Sequence, residues 1–214
     1  MRKIGLGKSF LEEIMNTIEA IEKRRSIKHY DANHVMPEED LKELIRVTKL
    51  APSSFNIQNY RLVVVRDKEL RQKIKEASWN QAQVTDASVV FFLCADLNAH
   101  MEDPTLYWGH APQQVQDMLG PMIKKFYEGN DELIRDEAMR STALAGMALM
   151  LAAKELGYDS CPMVGFDFKA VAELINLPED HVISFMVTIG KQTQDAWDRG
   201  PRLSDEKVVI YDKY

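Results

Sequence analysis

Hydrophobic residues at helical spacing predict several amphipathic helices along the chain. The first apolar face comprises Leu11, Ile14, Met15, Ile18 and Ile21. A second helix is predicted to begin at Pro37, with acidic residues in its first turn, and to end near Ala51. The same spacing predicts helices over Lys68–Ala77 and Val115–Phe126.

Short apolar runs predict the strands of a buried sheet. Leu62–Val65 indicates a short strand, and Val89–Ala95 indicates a longer, central one. Phe185–Gly190 indicates a third. The last apolar run, Val208–Tyr211, follows a long tail without a core pattern, so we expect it to pair with something distant, such as another subunit.

The helix predicted from Asp131 onward has an unusual composition. Between Ala143 and Ala153 it is apolar and small on every side, which predicts a central helix that is buried all round, with Gly157 as its C-terminal stop. Its uncharged stretch is shorter than the roughly 20 residues that span a bilayer. We therefore expect no membrane span.

The overall composition limits the classes of function. The chain has 214 residues, of which 45% are hydrophobic and 28% charged, and it has no repeat or flexible linker, which predicts one domain over 1–214. Its net charge of −6 excludes a surface that attracts nucleic acid or anionic lipid everywhere, so any anion site must be local. No signal-peptide pattern follows the basic N-terminus, and two cysteines are too few for a disulfide framework. We expect a cytoplasmic protein with free thiols.

A basic segment at the end of the first helix is the first candidate for chemistry. It contains Arg24, Arg25, Ser26 and Lys28. Such cations can simply complement the helix dipole, or their guanidinium groups can bind a phosphate with two parallel hydrogen bonds. Because no aromatic residues are interleaved, a small phosphorylated ligand is favoured over nucleic acid. Arg199 and Arg202 on the tail leave the same choice open, between surface residues and the second half of an anion clamp.

Three further segments combine small polar residues or glycine. They are 51–60 (APSSFNIQNY), 79–83 (WNQAQ) and 161–167 (CPMVGFD), the last interpreted as a loop after the buried helix. Without a ligand, 51–60 and 161–167 are explained as turns and 79–83 as a solvated helix face. The alternative is ligand recognition, because amide side chains can match a flat polar edge and Gly165 allows close backbone approach.

Familiar catalytic motifs do not occur. The chain has no phosphate-binding glycine loop, no G-x-S-x-G nucleophile elbow and no H-E-x-x-H metal motif. His100, Glu102, Asp103 and His110 do not have the spacing of a metal site. We therefore expect neither a bound metal nor a catalytic nucleophile.

Taken in order, these segments resemble the FMN-dependent nitroreductase family. The resemblance rests on Arg24-Arg25-Ser26-Ile27-Lys28 with Tyr30, Ala51-Pro52-Ser53-Ser54, Asn56 with Gln58, Asn80, the run from Leu156 to Asp167, and Arg202-Leu203. It spans about residues 20 to 211. The chain departs from the family at Asn59-Tyr60, where Pro-Trp is usual, and at Gly200, where a lysine is common.

The resemblance implies a fold and an assembly. The fold is α+β, a three-layer α/β/α sandwich around a mixed, mostly antiparallel sheet. Residues about 100–130 are expected to form a variable lid over the flavin. Residues about 191–214 are expected to form a tail that exchanges a C-terminal strand between the subunits of a homodimer.

The resemblance also implies a role for each site residue. Arg24 and Arg202, with Arg199 as a further candidate, would hold the FMN phosphate, and Arg25 and Ser26 would line the ribityl chain. Lys28 would lie near the pyrimidine end of the ring, where a cation stabilises the reduced flavin. Asn80 and Gln83 would bind the pyrimidine edge, and Pro162, Met163, Val164 and Gly165 would lie along the ring. Pro52, Ser53, Ser54 and Asn56 would come from the second subunit.

The implied function is an oxidoreductase without a catalytic side chain. It would take a hydride from NADH or NADPH and reduce nitroaromatics, quinones or similar small electrophiles by a ping-pong mechanism. Dehalogenation, enone reduction and oxygen-dependent flavin chemistry are alternatives on the same fold. A non-catalytic protein that stores or senses FMN is a further alternative, and a nucleic-acid-binding protein is a more distant one.

Overall fold

The computed structural model describes residues 15–103 and 105–214. The helices are α1 (Thr17–Lys23), α2 (Glu38–Thr48), α3 (Lys68–Ala77), α4 (Gln83–Asp86), α5 (Thr105–Trp108), α6 (Gln113–Tyr127), α7 (Asp131–Glu155), α8 (Phe168–Leu174) and α9 (Asp205–Val208). The strands are β1 (Tyr60–Val65), β2 (Val89–Asp96), β3 (Asp159–Met163) and β4 (His181–Gly190). Leu11 and Ile14 of the predicted first helix lie outside the described residues, while Ile18 and Ile21 lie on α1 with exposed side chains.

The four described strands form one antiparallel sheet in the order β1-β2-β4-β3. The predicted strands lie within β1, β2 and β4. The prediction that 161–167 is a loop was wrong for its first three residues, because Cys161, Pro162 and Met163 belong to β3. A proline lacks a backbone N–H and is tolerated here because β3 is an edge strand. Parallel pairing occurs as an isolated bridge between Ser26 and Ser160.

Helices cover both faces of the sheet, which confirms the α+β three-layer sandwich. Alternate side chains of the central strand β2 point to opposite faces. Phe91 and Leu93 pack with residues of α2 and α7 in one core. Phe92 and Cys94 pack with residues of α3 and α8 in another.

The long helix α7 packs against the sheet on one side only. Its predicted burial on every side was wrong, because Leu144 and Met147 are 48% and 37% exposed. Ala145 and Leu149, on the opposite side, are fully buried. A single chain therefore leaves an apolar stripe of α7 uncovered. No described helix is both long and apolar enough to cross a bilayer.

The C-terminal run does not form a strand within one chain. Val208 ends the short helix α9, and the residues up to Tyr211 are exposed and pair with no described strand. The expected pairing with another subunit therefore stays a prediction.

Candidate functional site

A cavity of about 400 Å³ brings the basic segment after α1 together with the tail. Its lining includes six predicted site residues: Arg24, Arg25, Ser26, Lys28, Arg199 and Arg202. His29 and Trp197 also line it, although no motif in the sequence singled them out. The two arginine groups, remote in sequence, thus form one site.

Backbone hydrogen bonds hold the two sides of this cavity together. Arg199 Nη2 donates to the carbonyl of Glu22 at 2.7 Å and to that of Arg24 at 3.0 Å. Arg25 Nη2 donates in the opposite direction, to the carbonyl of Trp197. These reciprocal contacts fix the shape of the cavity before any ligand binds.

The cavity has more positive than negative groups, because its four arginines and Lys28 outnumber the two carboxylates that line it, Asp195 and Asp198. No described carboxylate forms an ion pair with its four arginines. Burial lowers the pKa of Arg24, and the neighbouring charges of Arg199, Arg25 and Arg202 lower it further. Arg24 Nη1 is buried without a hydrogen-bond partner among the described residues. Because an unpaired buried donor and repelling cations are both costly, the residues fit an anionic group such as a phosphate.

A second part of the predicted site forms where the loop before α4 meets the end of β3. Trp79 and Asn80 adopt left-handed φ values of +53° and +57°. Gln81 Nε2 donates to the carbonyl of Gly165 at 2.8 Å. Gln83 is buried and donates through Nε2 to Gln81 Oε1 at 3.1 Å. Gln81, to which the sequence assigned no role, therefore connects Gln83 to the glycine.

Gly165 lies against the exposed ring of Trp79. A Cβ at this position would lie 2.8 Å from Cζ3 of Trp79, so the ring, which is 72% exposed, would have to move aside. The neighbouring Val164 side chain is 66% exposed, so the backbone of this turn borders open space. The close approach of a ligand to Gly165 stays a prediction, and the turn is open on the side away from Trp79.

Strand β3 connects the two parts of the site. The amide of Ile27 donates to the carbonyl of Ser160 at 3.0 Å, so the basic segment lies along the start of β3. Burial raises the pKa of the Cys161 thiol, whereas the nearby cations of Lys28 and Arg24 lower it. Ser160 and Met163 are separated by about 10 Å at the usual rise of a strand. A ligand with a phosphate at one end and a flat ring at the other fits this arrangement.

The remaining predicted residues lie elsewhere in the chain. Pro52, Ser53, Ser54 and Asn56 do not line the arginine cavity. They occupy the connection between α2 and β1, where Ser53 Oγ accepts a hydrogen bond from the amide of Gln58 at 2.9 Å. We call residues 52–58 the flavin loop, after the role that the family resemblance implies.

The sheet explains why one chain cannot unite the two groups. Strands β1 and β3 are opposite edges of the sheet, about 14 Å apart at the usual spacing. Tyr60, which follows the flavin loop, pairs with Ala95, and Ala95 pairs with Val182. Ser160, beside the basic segment, pairs with Ile189. Val182 and Ile189 lie about 23 Å apart along β4, so the two groups occupy diagonally opposite corners.

The histidines weighed for a metal site pack against aromatic rings. His100 lies 5.2 Å from the ring of Tyr127, and His110 stacks on Trp108 at 5.8 Å. Among the described residues, Asp96, Asp180 and His181 bring ligand atoms within 4.8 Å of one another. Their contacts with one another and with neighbouring side chains account for this cluster.

Comparisons with known proteins bear on the family and the fold. The family model described as "Nitroreductase family" matches residues 21–191. The protein DrgA of Synechocystis is 50% identical over 182 residues, which cover 85% of this chain and 87% of DrgA. A Bacillus subtilis protein named as the NAD(P)H nitroreductase MhqN is 35% identical, with 89% of this chain and 96% of MhqN covered. A solved nitroreductase structure in complex with FMN from Exiguobacterium sibiricum has a TM-score of 0.84 and 30% identity, and covers 92% of this chain and 97% of its own.

Proposed function

Because the chain belongs to the nitroreductase family, we propose that it is an FMN-dependent oxidoreductase. It takes a hydride from NADH or NADPH and reduces nitroaromatics, quinones or similar small electrophiles by a ping-pong mechanism. The observation that carries the proposal is the arginine cavity, in which Arg24 is charged, half-buried and unpaired. The similarity to a structure in complex with FMN supports the choice of ligand.

The arginines have a direct role in holding the cofactor. Arg24, Arg202 and Arg199 bind the phosphate. A phosphate oxygen accepts a hydrogen bond from Arg24 Nη1, which has no partner among the described residues. Arg25 and Ser26 lie on the same cavity wall and contact the ribityl chain. Since Arg25 and Arg199 are already anchored to backbone carbonyls, little side-chain freedom is lost when the phosphate binds.

The remaining side chains orient and tune the flavin ring, which supplies the hydride chemistry when bound. Lys28 places a positive charge toward the pyrimidine end, where it stabilises the extra negative charge of the reduced ring. Asn80 and Gln83 bind the pyrimidine edge. The backbone of Pro162 and Met163 at the end of β3, and of Val164 and Gly165 in the turn that Gln81 holds, lies along the ring.

The site is complete only in a homodimer. The flavin loop and the arginine cavity lie too far apart in one chain, so Pro52, Ser53, Ser54 and Asn56 reach the cavity of the other subunit. The exposed apolar stripe with Leu144 and Met147 on α7 supplies a surface for that contact. The exposed run to Tyr211 exchanges between subunits and covers part of the partner.

Initial-rate kinetics test the reaction. With NADH or NADPH varied at several fixed concentrations of a quinone or a nitroaromatic, a ping-pong cycle gives parallel lines in double-reciprocal plots. Intersecting lines would contradict the mechanism. Turnover confined to a halogenated aromatic, an enone or oxygen would identify one of the alternative reductive activities. Bound FMN that neither nucleotide reduces would favour storage or sensing.

A further inference from the structure

The flavin loop has a strained backbone. Phe55, Asn56 and Gln58 adopt φ values of +50°, +56° and +46°, in the left-handed region that side chains with a Cβ disfavour. Such conformations persist only where surrounding contacts hold them. The contacts that hold this loop therefore decide where Ser54 and Asn56 point.

Besides the hydrogen bond from the Gln58 amide to Ser53 within the loop, contacts come from the lid, residues 100–130. Trp108 Nε1 donates a hydrogen bond to the carbonyl of Phe55 at 2.9 Å. Asn56 Nδ2 donates to the carbonyl of Tyr107 at 3.4 Å. Because both lid residues belong to α5, one short helix holds the loop at two successive residues.

Aromatic packing reinforces the same attachment. The ring of Phe55 packs edge to face against Phe126 at 5.3 Å and Tyr127 at 6.3 Å between centroids. Ile57 packs in the same apolar cluster as Tyr127. Burial raises the pKa of Tyr127, and the hydroxyl of Ser54 beside it lowers that pKa. The loop therefore rests on α6 as well as on α5.

We propose that Trp108 is a positioning residue for the flavin. Its indole N–H fixes the Phe55 carbonyl, and thereby the directions of Ser54 and Asn56 on either side. The inference rests on the proposed function, in which this loop contacts the cofactor of the partner subunit. Residues 100–130, which the family resemblance places over the flavin, then also hold a cofactor-binding loop in place.

Two changes at Trp108 remove the donor in different ways. Trp108→Phe removes the indole N–H together with part of the ring. Incorporation of benzothienylalanine at position 108 replaces the N–H by sulfur and keeps the size and shape of the side chain. Tyr107→Phe is the matched control, because it removes a hydrogen bond of the same helix, from the Tyr107 hydroxyl to the carbonyl of Ala99 at 3.2 Å, and leaves in place the Tyr107 carbonyl that accepts from Asn56.

The readout is FMN release when the dimeric holoprotein is diluted, followed by the rise in flavin fluorescence. For both Trp108 variants we expect the FMN dissociation constant to rise about fivefold, the effect of losing one neutral hydrogen bond. The Tyr107→Phe constant should stay within about twofold of the wild type. Thermal unfolding of the FMN-free proteins measures any general loss of stability, which a purely structural role would change without changing FMN release.

The outcomes separate this inference from the function on which it rests. If the wild type binds FMN and both Trp108 variants release it as the wild type does, the inference is overturned and the proposed function stands. If Tyr107→Phe weakens FMN binding as much as the Trp108 variants do, general loosening of the lid explains the effect and the inference is likewise overturned. A wild-type protein that binds no FMN would overturn both proposals.

Discussion

Arg24 allows a test in which stability and FMN affinity change in opposite directions. The guanidinium is half-buried, its Nη1 lacks a hydrogen-bond partner among the described residues, and neighbouring arginines repel it. Arg24→Met keeps an unbranched side chain about as long as the stem of arginine and removes the charge and the donors. The change therefore stabilises the FMN-free protein, and it removes a hydrogen-bond donor to the FMN phosphate.

The two effects have different sizes. An unsatisfied buried donor costs about 1 to 3 kcal/mol, and we take the lower value because Arg24 is only half-buried. A gain of about 1 kcal/mol raises the Tm of the FMN-free protein by roughly 2 to 4 °C in a chain of this size. A charged hydrogen bond to phosphate contributes about 2 kcal/mol, so FMN should bind about 30-fold more weakly.

Calorimetry of the flavin-free protein and fluorescence titration with FMN measure the two effects. Arg46→Met is the control, because it removes an exposed arginine paired with Glu43 on α2. It should change either quantity little, since exposed ion pairs contribute at most about 1 kcal/mol. A lower Tm for Arg24→Met, or FMN affinity equal to that of the wild type, would refute the assignment of Arg24 to the phosphate.

Three further predictions address the shared site, the turn beside the ring and the thiols. Arg202→Ala and Asn56→Ala should each lose most of their FMN as homodimers, whereas subunit mixing should restore one intact site per mixed dimer; a mixture without recovered flavin would count against a shared site. Gly165→Ala places a Cβ 2.8 Å from the ring of Trp79, which is exposed and can move aside, so urea unfolding should show a loss of less than about 1 kcal/mol; a loss of several kcal/mol would mean that the ring is held in place. Burial raises the pKa of Cys94 to about 12, so its thiol is protonated at neutral pH and should react with a disulfide reagent only after unfolding. Rapid labelling of Cys94 in the native protein would disprove this.

The sequence predicted those strands and helices whose residue types match the burial that the fold gives them. Strand β2 is apolar from Val89 to Ala95 because both of its faces are covered, and this made it recognisable. Strand β3 escaped recognition because Pro162 is atypical of strands and is tolerated only at an edge. The predicted burial of α7 was wrong because its apolar stripe with Leu144 indicates contact without indicating the partner.

The candidate site likewise contains residues that the sequence indicated and one, Trp108, that it did not. Local pattern offered several interpretations of Arg24 and Arg202, and the order of motifs along the chain selected one that the shared cavity supports. The role of Trp108 left no signal in the sequence. Its partner is the carbonyl of Phe55, and a backbone acceptor of this kind can belong to any residue. The left-handed conformation of Phe55 also has no sequence signature, because such positions usually hold glycine or asparagine.

The central claim is that the arginine cavity holds an FMN that nicotinamide nucleotides reduce. An absorption spectrum of the purified protein, recorded before and after anaerobic addition of NADH and then NADPH, tests it most directly. We predict flavin bands that correspond to about one FMN per chain and that bleach when one of the nucleotides is added. A protein that shows no flavin bands even after incubation with FMN would contradict the claim, and the cavity would then be a site for another phosphorylated ligand.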